Sequence, residues 1–541
     1  MVQTTHTTPR RSVPPAHLII KLSATVAALL LSTACSTTMN PSSPAPTASA
    51  QLHFNPARYE TQQLTVSGQA LAVRAFEGIV YVAQPVDSTY QVMNIYVPEA
   101  YFQGQALNGY TAQTAPIFLP NQVGGYMPAL PGTARAPTQG PGAGRTSTIA
   151  QALAQGFVVA SPGARGRTTQ DAQGRYTGKA PAAIVDLKAA VRYLRFNDAA
   201  MPGNAERIVS NGTSAGGALS ALLGTSGNHP DYEAELQALG AAPARDDIFA
   251  VSAYCPITNL DHADAAYEWQ FNGINDFRKI DISMLDFKVQ RTEVAGTLTP
   301  EQVQVSNELK AGFPAYLNGL HLRSAQGQPL TLDDAGQGSF KDAVAALVMA
   351  SAQAALADGQ DLSHLNWLHI QAARVTSLDY DAYLRYAGRM KQPPAFDDLG
   401  LASGENELFG TTTDKARHFT AFSAQQSTAT GAGQASAQVV KMMNAMAYIG
   451  TPGATTAAHW RIRHGTKDRD TSLAIPAMLA TTLQNQGYAV DLALPWDRPH
   501  SGDYDLKELF AWMAQIAGAP QAGHAGAAQP QHAVLAIQDP D

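Results

Sequence analysis

Three side chains have the types and placement that nucleophilic catalysis needs. Ser214 lies in Gly212-Thr213-Ser214-Ala215-Gly216, a G-x-S-x-G pattern between the apolar run "ERIVSNG" and the small-residue run "GALSALLGTSG". A serine there can ride a sharp strand-to-helix turn with its hydroxyl exposed, and the glycines leave room for the turn and for close packing. Alone the pattern is weak. An ordinary tight turn has the same composition, and a serine alcohol is a poor nucleophile without a base. The base and its orienting acid follow in the order Ser, Asp, His. Asp468 lies in "RIRHGTKDRD", in the loop after one strand-like run, and His500 lies in "VDLALPWDRPHSGDYD", in the loop after the last. Ser214 would attack an acyl carbonyl. His500 would take the serine proton and deliver it to the leaving alcohol, while Asp468 orients the imidazole and stabilises its cation. Asp470 is an alternative acid, but Asp468 is nearer the strand end. The tetrahedral oxyanion needs two donors. The Ala215 amide is one by position, and Gly124 or Gly125 in "IFLPNQVGGYMPA" supplies the other, although a plain Gly-Gly turn would look the same.

These residues must be positioned by alternating strands and helices. "QALAVRAFEGIVYVA" and "YQVMNIYVPEAYF" read as antiparallel strands, "APIFLP" and "FVVASPG" as short buried ones, and "DIFAVSAYCPI" as the strand after the serine helix. "TIAQALAQG" and "AAIVDLKAAVRYLRFN" have helical spacing. The alternation implies a mostly parallel sheet covered by helices. The pattern breaks over residues 256–458, where helical pieces such as "FKDAVAALVMASAQAALADG" alternate with polar loops. A structureless loop of that size is improbable, so the segment reads as an inserted, mainly helical lid. The sheet resumes at 459–518 with "HWRIRHG", a helix, "AVDLALPW" and a last amphipathic helix. The divisions are therefore 52–255 and 459–518 for the core and 256–458 for the lid, with 35–51 a tether and 519–541 a tail.

The first 34 residues read as a secretory signal. Arg10, Arg11 and Lys21 precede the apolar run "LSATVAALLLSTAC". The run resembles a bacterial lipoprotein signal, with Cys35 as the lipidated residue, although Ser32 stands where such signals carry leucine. The expectation is export with a cell-envelope anchor through Cys35; ordinary cleavage would give a periplasmic or secreted protein. The only other cysteine, Cys255, lies in an apolar run and reads as an inert buried thiol. A net charge of −7 without a basic stripe argues against nucleic-acid binding. No H-E-x-x-H, clustered His/Cys spacing or P-loop is present, so neither metal nor cofactor is expected; "GPGAGRT" (140–146) lacks the lysine and reads as a loop.

The stretches "NGTSAGGALS", "AYCPITNLDHADAAYEW", "RHGTKDRDT" and "PWDRPHSGDYDLKELFAWM" resemble the bacterial tannases (tannin acyl hydrolases), and the resemblance covers nearly all of residues 60–518. It implies an α/β-hydrolase fold with a mostly parallel central sheet and a large, mainly helical inserted lid domain. It implies hydrolysis of galloyl esters and depsides, with Ser214, Asp468 and His500 as the triad. The family's gallate-holding lysine, glutamate and aspartate correspond to Lys391 in "RMKQPPAFDDLG", Glu405 in "SGENELFG" and Asp470. Gallate carries three adjacent phenolic donors; carboxylates can accept from them and an ammonium can donate to their oxygens. Without the resemblance Lys391 and Glu405 would read as solvated lid charges, and Asp470 as a loop carboxylate or helix cap. The partner implied is a small phenolic ester. The closest alternative is a feruloyl- or chlorogenate-type esterase on the same triad. A serine peptidase lacks support because the insert shows no propeller-like repeat. A non-catalytic surface binding protein would leave an intact triad unexplained.

Overall fold

The computed structural model describes residues 52–136, 146–285 and 288–518. Cys35, the tether, the tail and all of "GPGAGRT" except Thr146 lie outside them.

The central sheet has nine strands. β1 (Glu60–Val66), β2 (Gln69–Val80) and β3 (Val92–Pro98) form an antiparallel edge, and β3 pairs antiparallel with β5 (Val158–Pro162). From β5 onward the sheet is parallel, through β4 (Pro116–Pro120), β6 (Asn204–Thr213), β7 (Ala250–Tyr254), β12 (His459–Arg463) and β13 (Ala489–Ala493). β4, β5 and β7 are buried along their whole length. That is what a parallel sheet covered on both faces requires, and it is why these strands read as unbroken apolar runs. The helices Ala182–Phe196, Ala215–Thr225 and Ala474–Asn485 pack on the sheet, and their buried positions are mostly apolar, with Asp186 and Lys188 as charged exceptions.

The register decides what stands at the sheet's carboxyl edge. Thr213 of β6 faces Tyr254 of β7, which faces Arg463 of β12. The next residue along each strand is therefore Ser214, Cys255 and His464. The row is pinned by backbone bonds: Ser214 N–H donates to Tyr254 O at 3.0 Å, Cys255 N–H to Arg463 O at 2.7 Å, and His464 N–H to Ala493 O at 3.2 Å.

Between β7 and β12 the chain makes its long excursion, and core and insert lie in one compact unit. The insert holds the helices Leu260–Phe271, Pro300–Gly319, Ser339–Ala357 and Tyr380–Ala387 and several shorter ones. It also holds two antiparallel hairpins absent from the sequence reading, β8 (Asp276–Leu285) with β9 (Lys288–Thr297) and β10 (Leu368–Gln371) with β11 (Arg374–Leu378). The period-2 signal for the first was available in Ile280, Ile282 and Met284, separated by polar residues.

Candidate active site

β6 runs straight into the helix Ala215–Thr225, and Ser214 between them takes φ 60°, ψ −124°. For a non-glycine residue this backbone is strained, costing of order 1–3 kcal/mol, and persists only when its surroundings hold it. The surroundings explain the glycines. A Cβ on Gly212 would lie 2.3 Å from Gly216 O, and one on Gly216 would lie 2.6 Å from both Val123 O and Asn121 Oδ1. Two consecutive helical glycines, Gly216 and Gly217, cost helix stability of ~1 kcal/mol each. They are kept because a Cβ on Gly217 would sit 2.4 Å from Tyr254 O.

The same contacts bring the glycine loop after β4 against the elbow. Asn121 Nδ2 donates to Asn211 O, Gly216 O and Ser220 Oγ, and Asn121 Oδ1 accepts from Val123 N–H. The carbonyls of Gly124 and Gly125 are occupied, by Met127 N–H at 3.0 Å and Arg167 Nε at 2.9 Å. The amides of Gly124, Gly125 and Ala215 have no acceptor among the described residues. Gly125 has φ +54°.

Asp468 is buried in the loop after β12. Its Oδ2 accepts from His500 Nδ1 at 2.8 Å, and its Oδ1 accepts from the Asp470 amide at 2.9 Å. The His500 loop is docked on the end of β6. A Cβ on Gly502 would meet Thr213 Oγ1 at 1.8 Å, and Asp503 accepts from Asn211 Nδ2 and Thr148 Oγ1. Ser214 and His500 are thus neighbours through the backbones that carry them. No hydrogen bond joins their side chains among the described residues. Burial disfavours a charged His500, but the Asp468 carboxylate outweighs it and raises the imidazole pKa. Burial also pushes Asp468 up. The neighbouring imidazoles and the His500 hydrogen bond overcome that, so Asp468 is held well below its usual range. Each group of the pair thus favours the charged form of the other.

Lys391 and Asp470 face each other, Nζ to Oδ1 3.4 Å, with the ammonium 3.9 Å from the centroid of the Phe396 ring. Glu405, on the short helix Gly404–Leu408, has its carboxyl raised mainly by burial, with Lys391 opposing the shift and Asp470 adding to it. The structure therefore brings Lys391, Glu405 and Asp470 into one electrostatic group. Asp470 is joined to Asp468 through its own amide.

Three residues of this site, Tyr267, Arg167 and Tyr126, escape sequence reasoning. Tyr267, fully buried on the helix Leu260–Phe271, accepts through its hydroxyl from the amides of Met390 (3.1 Å) and Lys391 (2.9 Å) and donates to Arg469 O at 3.0 Å. It ties the lysine segment of the lid to the loop holding Asp468 and Asp470. Arg167 grips Gly125 O, pairs with Glu407, and lies 3.1 Å from where a Cβ on Gly404 would be. It fastens the glycine loop to the helix bearing Glu405. Tyr126 is buried, and its phenol is raised by burial and then by Glu405. Cys255, read as an inert thiol, is buried with its pKa pushed up to about 12, chiefly by burial, so it is a poor nucleophile. Its Sγ nevertheless donates to Ser501 O at 3.4 Å, beside His500. Only their elements were legible: a buried tyrosine on an apolar helix reads as core. A cavity of about 910 Å³ between the hairpin β8–β9 and the helix Tyr380–Ala387 has Arg469 on its wall but neither Ser214 nor His500.

The BD-FAE family model matches residues 138–304. No curated protein matches the chain. Among solved structures, a tannase from Lactobacillus plantarum is 49% identical, with a TM-score of 0.83 over 86% of this chain and 100% of that one. A tannase from Fusobacterium nucleatum is 47% identical, with a TM-score of 0.82 over 86% and 99%. A tannin acyl hydrolase in complex with ethyl gallate is 50% identical, with a TM-score of 0.82 over 87% and 100%.

Proposed function

The chain belongs to the bacterial tannases, carboxylic ester hydrolases of the α/β-hydrolase fold, and we propose from that premise that it cleaves galloyl ester and depside bonds, releasing gallic acid. Ser214 Oγ adds to the galloyl carbonyl as its proton passes to His500 Nε2. The oxyanion is met by the Ala215 amide and by Gly124 or Gly125. Collapse expels the alcohol, which takes the proton from His500, and leaves galloyl-Ser214. Water, deprotonated by His500, then repeats the sequence and frees gallate. Lys391, Glu405 and Asp470 hold the three phenolic hydroxyls. The observation that carries this reading is the bond from the Asp470 amide to Asp468 Oδ1, 2.9 Å. A carboxylate suited to phenols and the acid of the triad share one short loop, so seating the ring also sets its ester against Ser214.

The test is kcat/KM on methyl gallate beside methyl ferulate, with Ser214→Ala as background. A large gallate preference, abolished in the variant, is expected. A methoxy group removes one donor and crowds the carboxylates, so ferulate preference or indifference would overturn the three-hydroxyl pocket while leaving the esterase. We also propose that the chain is exported and anchored through lipidated Cys35, on the strength of the basic and apolar run before it. Detergent-phase partition of the cell-expressed protein, lost in Cys35→Ser, tests this; equal partition of both would refute it.

A further inference from the structure

Cys255 and His464 are neighbours in the row at the sheet's carboxyl edge, and Asp468 folds back over them. One potential ligand atom from each of the three lies within 4.8 Å of the other two. All three side chains are buried. His464 is the anomaly. Its side chain is wholly enclosed, yet neither ring nitrogen has a hydrogen-bond partner among the described residues, and Nε2 is 3.8 Å from Asp468 Oδ2. A buried imidazole normally satisfies at least one nitrogen, and the neutral form is the one that takes a metal.

We propose that Cys255, His464 and Asp468 form a binding site for a soft divalent cation of the Zn2+ or Cd2+ class, and that filling it switches the enzyme off. This rests on the triad reading. Thiolate, imidazole and carboxylate together suit such an ion rather than Mg2+ or Ca2+, which want oxygen alone. The two negative charges of a Cys255 thiolate and Asp468 balance a divalent cation, and the thiol proton leaves to solvent as the S–metal bond forms. Zinc bonds of about 2.3 Å to sulfur and about 2.0 Å to nitrogen or oxygen place tetrahedral ligand atoms roughly 3.3–3.5 Å apart. Side-chain rotation within the present triangle suffices. The oxygen nearest His464, Asp468 Oδ2, is also the one that accepts from His500 Nδ1 at 2.8 Å. A cation on it competes with His500 for the same lone pairs and leaves the base without its orienting acid. His500 keeps about a quarter of its side chain exposed, which gives the ion a path from the cleft.

The experiment titrates Cd2+ into the purified full chain and into Cys255→Ala. Cadmium–thiolate ultraviolet absorption and hydrolysis of methyl gallate and p-nitrophenyl acetate are followed together. Expected are one thiolate-bound Cd2+ per chain, inhibition that tracks the absorption, and recovery on adding EDTA. In Cys255→Ala the absorption should fall to what Cys35 alone contributes, and half-inhibition, relative to that variant's own metal-free rate, should need at least tenfold more cation. Cys35 remains in both chains, so the difference between them belongs to Cys255. If Cys255→Ala does not fold, His464→Gln keeps the thiol and should raise the half-inhibiting concentration severalfold. Absence of thiolate absorption in the parent would refute the site, as would equal inhibition of parent and variants. The absorption needs no substrate. A failed galloyl reading would therefore show as lost gallate activity with the Cd2+ response intact.

Discussion

Replacing Tyr267 by Phe removes one oxygen and keeps the ring. That oxygen accepts from the amides of Met390 and Lys391 and donates to Arg469 O, at 2.9–3.1 Å, in a fully buried position. Leaving a buried donor without its acceptor costs about 1–3 kcal/mol. Two stranded amides, partly relieved by local shifts, should therefore lower stability by roughly 2–4 kcal/mol. The kinetic consequence is more specific. Lys391 and Asp470 would no longer be held at a fixed separation across the lid–core boundary. If about 1.4 kcal/mol of that order is lost from galloyl seating, KM for methyl gallate rises about tenfold. Asp468 and His500 do not touch the hydroxyl, so p-nitrophenyl acetate, too small to reach Lys391, should be hydrolysed within about twofold of the parent rate. The assay is steady-state kinetics on both esters, with urea unfolding alongside. Adding Lys391→Ala should produce little further loss on gallate, because both changes disable one device. Equal loss on the two esters, or additivity with Lys391→Ala, would refute the positioning role and make Tyr267 a core residue only.

Other perturbations have definite directions. Asp470→Asn or Glu405→Gln should mainly impair gallate esters and spare a simple short-chain ester; equal loss on both would assign these residues to the fold or the triad. Asp468→Asn should lower kcat by about 10⁴. It should also move the acid limb of the pH–rate profile to lower pH, because Asp468 raises the His500 pKa; an unmoved limb would separate that ionisation from His500. For stability, the raised His500 contributes fully below its unfolded pKa and less as pH rises through its folded value. The depressed Asp468 contributes fully above its unfolded pKa and less as pH falls through its folded one. Asp468→Asn should thus flatten the pH dependence of urea unfolding at both ends, and an unchanged curve would deny the coupling. Arg389→Leu strands the fully buried Glu268 carboxylate with which Arg389 pairs, so a loss of ~3–5 kcal/mol is expected in the same assay; a neutral outcome would mean that Glu268 is protonated in the fold.

The residues proposed as the triad were legible because an α/β sheet exposes chemistry at strand ends, and Ser214, Asp468 and His500 each follow a recognisable strand by a few residues. The elbow was legible because its steric demands leave only glycine at 212 and 216. Lys391 and Glu405 stood out through family likeness rather than pattern, since lone charges on short lid segments look like solvated ones. Tyr267 was invisible for a related reason. Its hydroxyl's partners are backbone groups more than 120 residues away, and no local spacing encodes them. The hairpin β8–β9 was missed because its alternation is short and rich in charge. Cys255 was rightly read as a buried thiol, but its neighbours follow from the register of β7 on β12, which a single strand cannot reveal.

The excursion of roughly 200 residues leaves the core after Tyr254 and returns at His459, on two strands that lie side by side. To the sheet, the insert is therefore one oversized connection between neighbours, and its length enters the closure entropy only logarithmically. Evolution can lengthen, shorten or exchange such a segment without renegotiating strand order. In the proposed roles Ser214, Asp468 and His500 belong to the scaffold, and so does Asp470, whereas Lys391 and Glu405 travel with the exchangeable part. Acyl preference in this architecture is thus divided between the two parts, while catalytic power stays with one. A graft of the 256–458 segment from a relative with different phenolic taste should shift that taste only in part, because Asp470 stays behind beside Asp468.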